Sequence, residues 1–168
     1  MVEIRELKSE DLEKVSRLSR LVLLDTWEKY ARDYYPKKAV EFDVNAHNPD
    51  FYSRIFKDPN VYCFIAEEEE EIVGVAIFRI FGKSGLANLV WIAVHPSFQR
   101  RGIGRKLLMK IIEQCESRKC HKIFLHTMPV LIPAINLYLK MGFKPEALLR
   151  KHWWGVDFII MSKWLNNA

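Results

Sequence analysis

The feature that most constrains the fold is a nine-residue apolar segment, Leu86–Val94 (LANLVWIAV), which is followed by a glycine-containing stretch and then by a helical pattern. Side chains alternate between the two faces of a strand, so a strand of this composition has to be covered on both sides. Within Gly102–Arg118, apolar residues recur every three or four positions, which predicts an amphipathic helix. A buried strand followed by such a helix predicts an α/β fold with helices packed on a central sheet.

The rest of the chain supplies the other elements of this fold. Six further segments are β-rich or alternate in polarity and predict strands: Val2–Leu7, Val61–Ala66, Ile72–Phe81, Lys122–Thr127, Phe143–Leu149 and Val156–Trp164. Further helical patterns follow Ser9 and cover Trp27–Tyr34, Lys37–Asn45 and Pro133–Lys140. The stretch from Thr26 to Phe56 is harder to interpret, and we expect Pro36, Pro49 and Pro59 to break up this part of the chain. The length fits one domain, residues 1–168, with about seven strands and about four helices.

Composition excludes several other classes of protein. No apolar run approaches the roughly 18 residues that span a bilayer, and the amino terminus is too charged for a signal peptide, so we expect a cytoplasmic protein that does not enter membranes. Cys63, Cys115 and Cys120 lack the spacing of a zinc site and are predicted to be reduced thiols. The five adjacent carboxylates of Glu67–Glu71 favour a solvated hairpin turn over a metal site.

Positive charge is concentrated in one part of the chain. The net charge is +5, and Pro96–Lys122 contains eight basic and two acidic residues. Such a stretch forms either a solvated helix face or a site for an anion. Aromatic side chains that could stack on bases are not interleaved with the basic ones, since Phe98 and Phe124 only bracket them. We therefore expect no nucleic-acid partner.

The start of the Gly102–Arg118 helix is a candidate phosphate site. Gly102 and Gly104 let a ligand approach the backbone, and the first turn of a helix presents N–H groups without intrahelical acceptors. These groups and the helix dipole attract phosphate, and nearby arginines add full positive charges. The spacing fits neither a P-loop nor a dinucleotide-binding fingerprint.

Two sequence motifs together resemble the signatures of the GNAT N-acetyltransferase superfamily. Residues 99–104 (QRRGIG) match its pyrophosphate-loop signature, and residues 134–143 (AINLYLKMGF) match its second signature. The resemblance is clear from Val61 to Trp164, and it implies a mixed, mostly antiparallel sheet (α+β) in which the strands ending at Val94 and Thr127 splay apart. Acetyl-CoA would lie in that gap, with no metal cofactor. The predicted contacts are Ile92, Ala93, Val94, Gln99, Arg100, Arg101, Gly102, Ile103, Gly104, Arg105 and Asn136.

The resemblance also implies a mechanism, in which an amine attacks the thioester directly. Tyr138 matches the family tyrosine that protonates the departing thiolate. His126 lies twelve residues before Tyr138, where ribosomal-protein N-terminal acetyltransferases carry a glutamate, and is the first candidate for the base; His152 is the second. Leu131 replaces an asparagine that touches CoA in many relatives, and Asn136 is a candidate to compensate.

Three functions remain open from the sequence. The first is an acetyl-CoA-dependent N-acetyltransferase acting on a primary amine of a small molecule or a peptide N-terminus. The second is a non-catalytic CoA-binding module, and the third, nucleic-acid binding, is disfavoured as above. The acceptor site is expected to involve Trp27–Phe56 and the loop around Trp153 and Trp154. Whether the protein forms a homodimer is left open.

Overall fold

Seven strands form a single mixed sheet in the computed structural model, which describes residues 1–165. They are β1 (Glu3–Glu6), β2 (Val61–Glu68), β3 (Glu71–Ile80), β4 (Leu86–Val94), β5 (Lys122–Thr127), β6 (Lys144–Leu149) and β7 (Phe158–Trp164), in the order β1-β2-β3-β4-β5-β7-β6. Neighbouring strands are antiparallel except β4 and β5, which are parallel. The predicted fold class is confirmed, while residues 166–168 of the predicted domain lie outside the described part.

Five α-helices flank the sheet in the described part of the chain, where about four were predicted. They are α1 (Leu12–Thr26), α2 (Lys37–Ala46), α3 (Pro49–Lys57), α4 (Ile103–Ser117) and α5 (Ile132–Lys140). Pro49 follows a break in the helices, as predicted, because α2 ends at Ala46 and α3 begins at Pro49, but α3 itself was not predicted. Pro49 occupies the first turn of α3, where its missing N–H is not needed. The side chain of Asn48 caps this helix, accepting a hydrogen bond from the Phe51 N–H at 3.0 Å.

The segment after α1 also differs from the prediction. Trp27–Tyr34 was expected to be a separate helix, whereas α1 continues directly into a π-helical turn at Trp27–Ala31. The Trp27 indole N–H donates to the Tyr35 carbonyl at 2.7 Å, and this bond ties the turn to the chain that leads into α2. The turn thus redirects the chain without a break.

Helices cover β4 on both faces, as its composition predicts. On one face, Leu107 and Ile111 of α4 pack in a core that includes Leu89 of β4. On the other, Leu18 of α1 belongs to a second core, against which Trp91 of β4 packs. These two cores hold β4 between α4 and α1.

A bulge in β4 opens the sheet. Ile77 of β3 is paired with Trp91, and the next residue, Phe78, is paired with Leu89, so Val90 is an extra residue in β4. A bulge bends its strand and increases the local twist. Pairing between β4 and β5 also ends at Leu89. Within residues 1–165, the β5-facing edge of β4 has no strand partner from Val90 onwards, and a cleft opens between the two strands.

The remaining sequence expectations concern turns and cysteines. Glu69 and Glu70 form the turn between β2 and β3, both with left-handed backbones, as expected for a hairpin tip. Cys63, Cys115 and Cys120 are buried free thiols. Residues 1–165 contain no cluster of three metal-ligating side chains and no helix with the length and apolarity needed to cross a membrane.

Candidate active site

The cleft between the diverging ends of β4 and β5 has a volume of about 710 Å³. Its walls come from β4, the following loop, the first turn of α4, the end of β5, α5, and the carboxyl end of α1 with its π-helical turn. One end of the cleft lies against the glycine-containing loop, and the other lies between α1 and the end of β5. The two ends differ in chemistry and are described in turn.

The predicted phosphate loop lies at the first end. Gly102 begins α4 with a left-handed φ of 77°, and an added Cβ would meet no atom within 4 Å, so this glycine is required for its backbone conformation and not for packing. The first-turn N–H groups of α4 face this end of the cleft without intrahelical acceptors. Arg100 and Arg105 line the cleft beside them. This arrangement fits a phosphate group.

Gly104 has a different role from Gly102. A Cβ on Gly104 would lie 3.0 Å from Cδ2 of Leu137, so the glycine allows α4 to approach α5 closely. The first turn of α4 and the helix that carries Tyr138 therefore lie close together.

Two of the predicted loop residues make contacts inside the protein. The Gln99 amide donates to the Val94 carbonyl at 3.1 Å and so ties the loop to the end of β4. Arg101 does not line the cleft: its guanidinium lies 4.8 Å from the centre of the Phe98 ring and 3.6 Å from a Glu68 carboxylate oxygen. The structure therefore brings Arg100 and Arg105 to the cleft and leaves Arg101 outside it.

The predicted backbone contacts of β4 are on the open edge. Ile92, Ala93 and Val94 all line the cleft. Their side chains pack in the two cores, with Ile92 and Val94 against the α4 side and Ala93 on the α1 side. What they offer a ligand is accordingly the backbone of the strand edge, apart from the Val94 carbonyl, which already accepts from Gln99.

Tyr138 lies on α5 at the middle of the cleft. Its side chain is only 6% exposed, and within residues 1–165 its hydroxyl makes no hydrogen bond. Burial raises the pKa of this phenol well above its usual value, so it is protonated at neutral pH and able to donate a proton. Leu131 and Asn136 line the same wall, and Asn136 is exposed.

His126 lies near the end of β5 and lines the same cleft as Tyr138. The imidazole is half-buried, and its ring centre is 4.9 Å from that of Trp153 and 5.9 Å from that of His152. Burial, and to a smaller extent the charge of His152, lowers the pKa of His126 below its ordinary value. The ring is therefore neutral at pH 7 and has a free lone pair for a proton.

The acceptor end of the cleft is formed by side chains from distant segments. Thr26 and Tyr30 come from α1 and its π-helical turn, and Val90 projects from the bulge with 46% of its surface exposed. The sequence did not identify Thr26 or Val90, whereas Tyr30 belongs to the segment Trp27–Phe56 that was expected to shape the acceptor site. A bulge inside an almost wholly apolar run leaves no break in polarity that could reveal it. None of the described residues that line the cleft is an aspartate or a glutamate.

Part of Trp27–Phe56, which was expected to shape the acceptor site, packs in the hydrophobic cores instead. Tyr52 is completely buried in the core beneath β4, and its hydroxyl donates to Ser19 at 2.5 Å. Of α2, the exposed Phe42 contacts the loop between β6 and β7, where its ring centre is 5.6 Å from that of Trp154.

Comparisons with known proteins agree with this arrangement. A model of the acetyltransferase (GNAT) family matches residues 23–143. An N-alpha-acetyltransferase of Sulfurisphaera tokodaii is 28% identical over 95% of this chain and 90% of its own length. A ribosomal protein bS18-alanine N-acetyltransferase of Salmonella typhimurium is 41% identical over 45% of this chain, a match that spans 54% of the relative.

Solved structures show the same fold. The PaiA N-acetyltransferase of Thermoplasma acidophilum, crystallised with coenzyme A, superposes with a TM-score of 0.83 at 21% identity, covering 98% of this chain and 99% of that chain. The ribosomal-protein-S18-alanine N-acetyltransferase of Escherichia coli superposes with a TM-score of 0.73 at 23% identity, covering 96% of this chain and 92% of that one.

Proposed function

Because the chain belongs to the acetyltransferase (GNAT) family, we propose that it transfers the acetyl group of acetyl-CoA to the α-amino group of a peptide or protein. The observation that carries this proposal is the cleft itself. It has a phosphate-binding helix start at one end, an unpaired strand edge along its length, and a neutral imidazole and a protonated phenol in its lining.

Acetyl-CoA fits the cleft in one direction. Its diphosphate is held by the N–H groups at the start of α4, with Arg100 and Arg105 neutralising its charge. Its pantetheine amides pair with the open edge of β4 beyond Val90, and the thioester then lies towards Tyr138 and His126. The coenzyme A bound to the structural neighbour from Thermoplasma acidophilum supports this assignment.

The reaction requires three proton transfers. His126 accepts a proton from the acceptor ammonium, which frees the nitrogen lone pair for attack on the thioester carbonyl. As the new C–N bond forms and the C–S bond breaks, the Tyr138 phenol donates its proton to the thiolate sulfur. The attacking nitrogen then gives its excess proton to the tyrosinate, and the imidazolium of His126 releases its proton to solvent. The products are the acetylated amine, free CoA and one proton.

The acidity of the amine favours an α-amino acceptor. Deprotonating a lysine-like amine at pH 7 costs about 4.6 kcal/mol, against about 1 kcal/mol for an α-amino group. A histidine whose pKa is lowered is a weak base, and it suits the more acidic amine. The N-terminal acetyltransferase activity named for two of the relatives supports this choice.

The charge of the cleft argues against polycationic acceptors. Polyamines and aminoglycosides carry several ammonium groups, which need carboxylate partners when they are bound. The described lining instead supplies Arg100, Arg105 and Lys140, with no carboxylate. A peptide N-terminus brings a single ammonium and is the better fit.

The test measures release of free thiol from acetyl-CoA with matched acceptors. One is a short peptide with a free α-amine and no lysine; the second is the same peptide with a blocked amino terminus and one added lysine; the third is spermidine. We expect kcat/KM for the first to exceed both others by at least about tenfold. Fastest turnover with spermidine would contradict the assignment of the acceptor. Tight CoA binding without turnover of any amine would identify a non-catalytic CoA-binding module.

A further inference from the structure

The loop between β6 and β7 holds a conformation that ordinary residues avoid. Lys151 and Trp154 have left-handed backbones, with φ of 47° and 58°, although both carry a Cβ. This conformation is sterically costly for such residues and persists only where the surrounding structure imposes it. Backbone outliers of this kind are found most often at functional sites, so the surroundings of the loop are informative.

Hydrogen bonds fix the loop from several sides. The N–H of His152 donates to the Val156 carbonyl at 2.8 Å, and the N–H of Lys151 donates to the Asp157 carboxylate at 2.8 Å. From the chain between α1 and α2, the Tyr34 hydroxyl donates to the Asp157 carbonyl at 2.7 Å. The side chains presented by this loop are therefore held in place by the backbone.

The loop presents His152 to His126. The two imidazoles are parallel within 3°, with ring centres 5.9 Å apart. Trp153 contacts both, at 4.4 Å from the centre of the His152 ring and 4.9 Å from that of His126. The N–H groups of an imidazole lie in the plane of its ring, so parallel stacked rings do not hydrogen-bond to each other. They interact through packing and through repulsion when both are positively charged.

We propose that His152 is a positioning residue for His126: the β6–β7 loop holds its imidazole over that of His126, so that the two rings are not positively charged together and His126 stays available to the acceptor amine. This proposal rests on the proposed function, in which His126 accepts the amine proton. His152 itself touches neither substrate nor the reacting atoms in this role.

No other titratable group of the described residues faces the His126 ring in the same way. Phe124, which precedes it on the same face of β5, and Ile160, its partner on β7, are uncharged. The other ionisable side chains that line the cleft are Tyr30, Arg100, Arg105, Tyr138 and Lys140. Burial is the larger cause of the lowered pKa of His126, and the charge of His152 adds to it in the same direction.

The experiment replaces His152 by a ring of similar shape without charge. In His152→Phe the stacking remains and the repulsion is lost, so the pKa of His126 rises and the acidic limb of the kcat/KM profile moves to higher pH. We expect the ratio of kcat/KM at pH 6 to that at pH 8 to fall at least threefold. The matched control is His121→Phe, the same change at an exposed histidine immediately before β5. We expect this control to leave the ratio unaltered. A ratio in His152→Phe equal to that of the unsubstituted protein overturns the proposal.

A second measurement separates this proposal from the proposed function. The imidazole C–H resonance of His126 is titrated by NMR in the protein without substrates, and its midpoint is expected to move to higher pH in His152→Phe. An unmoved midpoint, in a protein that is inactivated by His126→Gln, overturns the role of His152 alone. Full activity and an unaltered pH profile in His126→Gln overturn the role of His126 as base, and with it the positioning role.

Discussion

The two ends of the cleft are built in opposite ways. The phosphate end is built from one continuous segment, the loop and first turn around Gly102, and it offers mainly backbone N–H groups. The acceptor end is assembled from α1, the bulge at Val90, the end of β5 and the β6–β7 loop, and it offers side chains. A backbone site depends on the absence of Cβ atoms at a few positions, whereas a side-chain site depends on the identity of residues far apart in the chain. A site of backbone groups is suited to a ligand common to the whole family, and a site of side chains is suited to an acceptor that varies.

If this contrast is correct, the largest loss of CoA affinity comes from a side chain placed among the backbone N–H groups at the start of α4. Gly102→Asp sets a carboxylate against the diphosphate, and repulsion between like charges of several kcal/mol corresponds to a loss of CoA affinity of roughly 10³-fold. Calorimetric titration of CoA measures it. Gly102→Ala is the matched control: its Cβ meets no protein atom within 4 Å, so it carries only the cost of the left-handed backbone, on the order of 1 kcal/mol. Undiminished affinity in Gly102→Asp would remove the diphosphate from this loop.

Between the two ends, Tyr138→Phe separates chemistry from binding. Removal of a proton donor from the leaving thiolate lowers kcat by roughly 10²-fold, while the acetyl-CoA dissociation constant changes by less than about twofold. Steady-state kinetics and calorimetry measure the two quantities. Tyr62→Phe, at a half-buried tyrosine that stacks on Phe78 outside the cleft, serves as the control and keeps its kcat. An unaltered kcat in Tyr138→Phe would exclude it as the acid.

At the acceptor end, Trp153→Ala weakens recognition of the amine. Trp153 packs on His126 and His152 and is 51% exposed, so its indole is open to an incoming peptide. Loss of such an aromatic contact raises the acceptor KM by roughly tenfold without altering acetyl-CoA affinity. Trp164→Ala, at the exposed far end of β7, is the control. A weakened acetyl-CoA affinity in Trp153→Ala would show that the two ends are not independent.

The same contrast explains what the sequence predicts. Gly102, Gly104 and Tyr138 were identified because each belongs to a short motif that resembles a signature of the GNAT superfamily. Val90 was not, because a bulge in an almost wholly apolar strand leaves no trace in the pattern of polarity. The break at Pro49 was predicted but the helix α3 that begins there was not, because proline both ends helices and begins them, and here the side chain of Asn48 caps the new helix.

His126 shows the limit of such inference. Its position was identified by counting back from Tyr138, but its pairing with His152 depends on the left-handed backbone at Trp154, which no residue preference indicates. Contacts that arise only when separate segments fold against each other are determined by the whole structure. The acceptor end consists largely of such contacts, and this is why its chemistry was the least predictable part of the site.

The smallest effect distinguishes the arginines of the loop. The sequence groups Arg101 with Arg100 and Arg105 as phosphate ligands, but in the structure Arg101 packs on Phe98 and pairs with Glu68. Exposed ion pairs contribute little to stability, typically below about 1 kcal/mol. We therefore expect Arg101→Gln to change the folding equilibrium constant and the CoA affinity by no more than about threefold. Arg105→Gln, which removes a charge from the cleft wall, weakens CoA binding more strongly and more so at low salt. Calorimetric titration of both variants at two ionic strengths makes the comparison. Equal losses of CoA affinity in Arg101→Gln and Arg105→Gln would mean that Arg101 leaves Glu68 to bind the ligand. Side chains would then contribute as much as backbone N–H groups to binding at this end of the cleft.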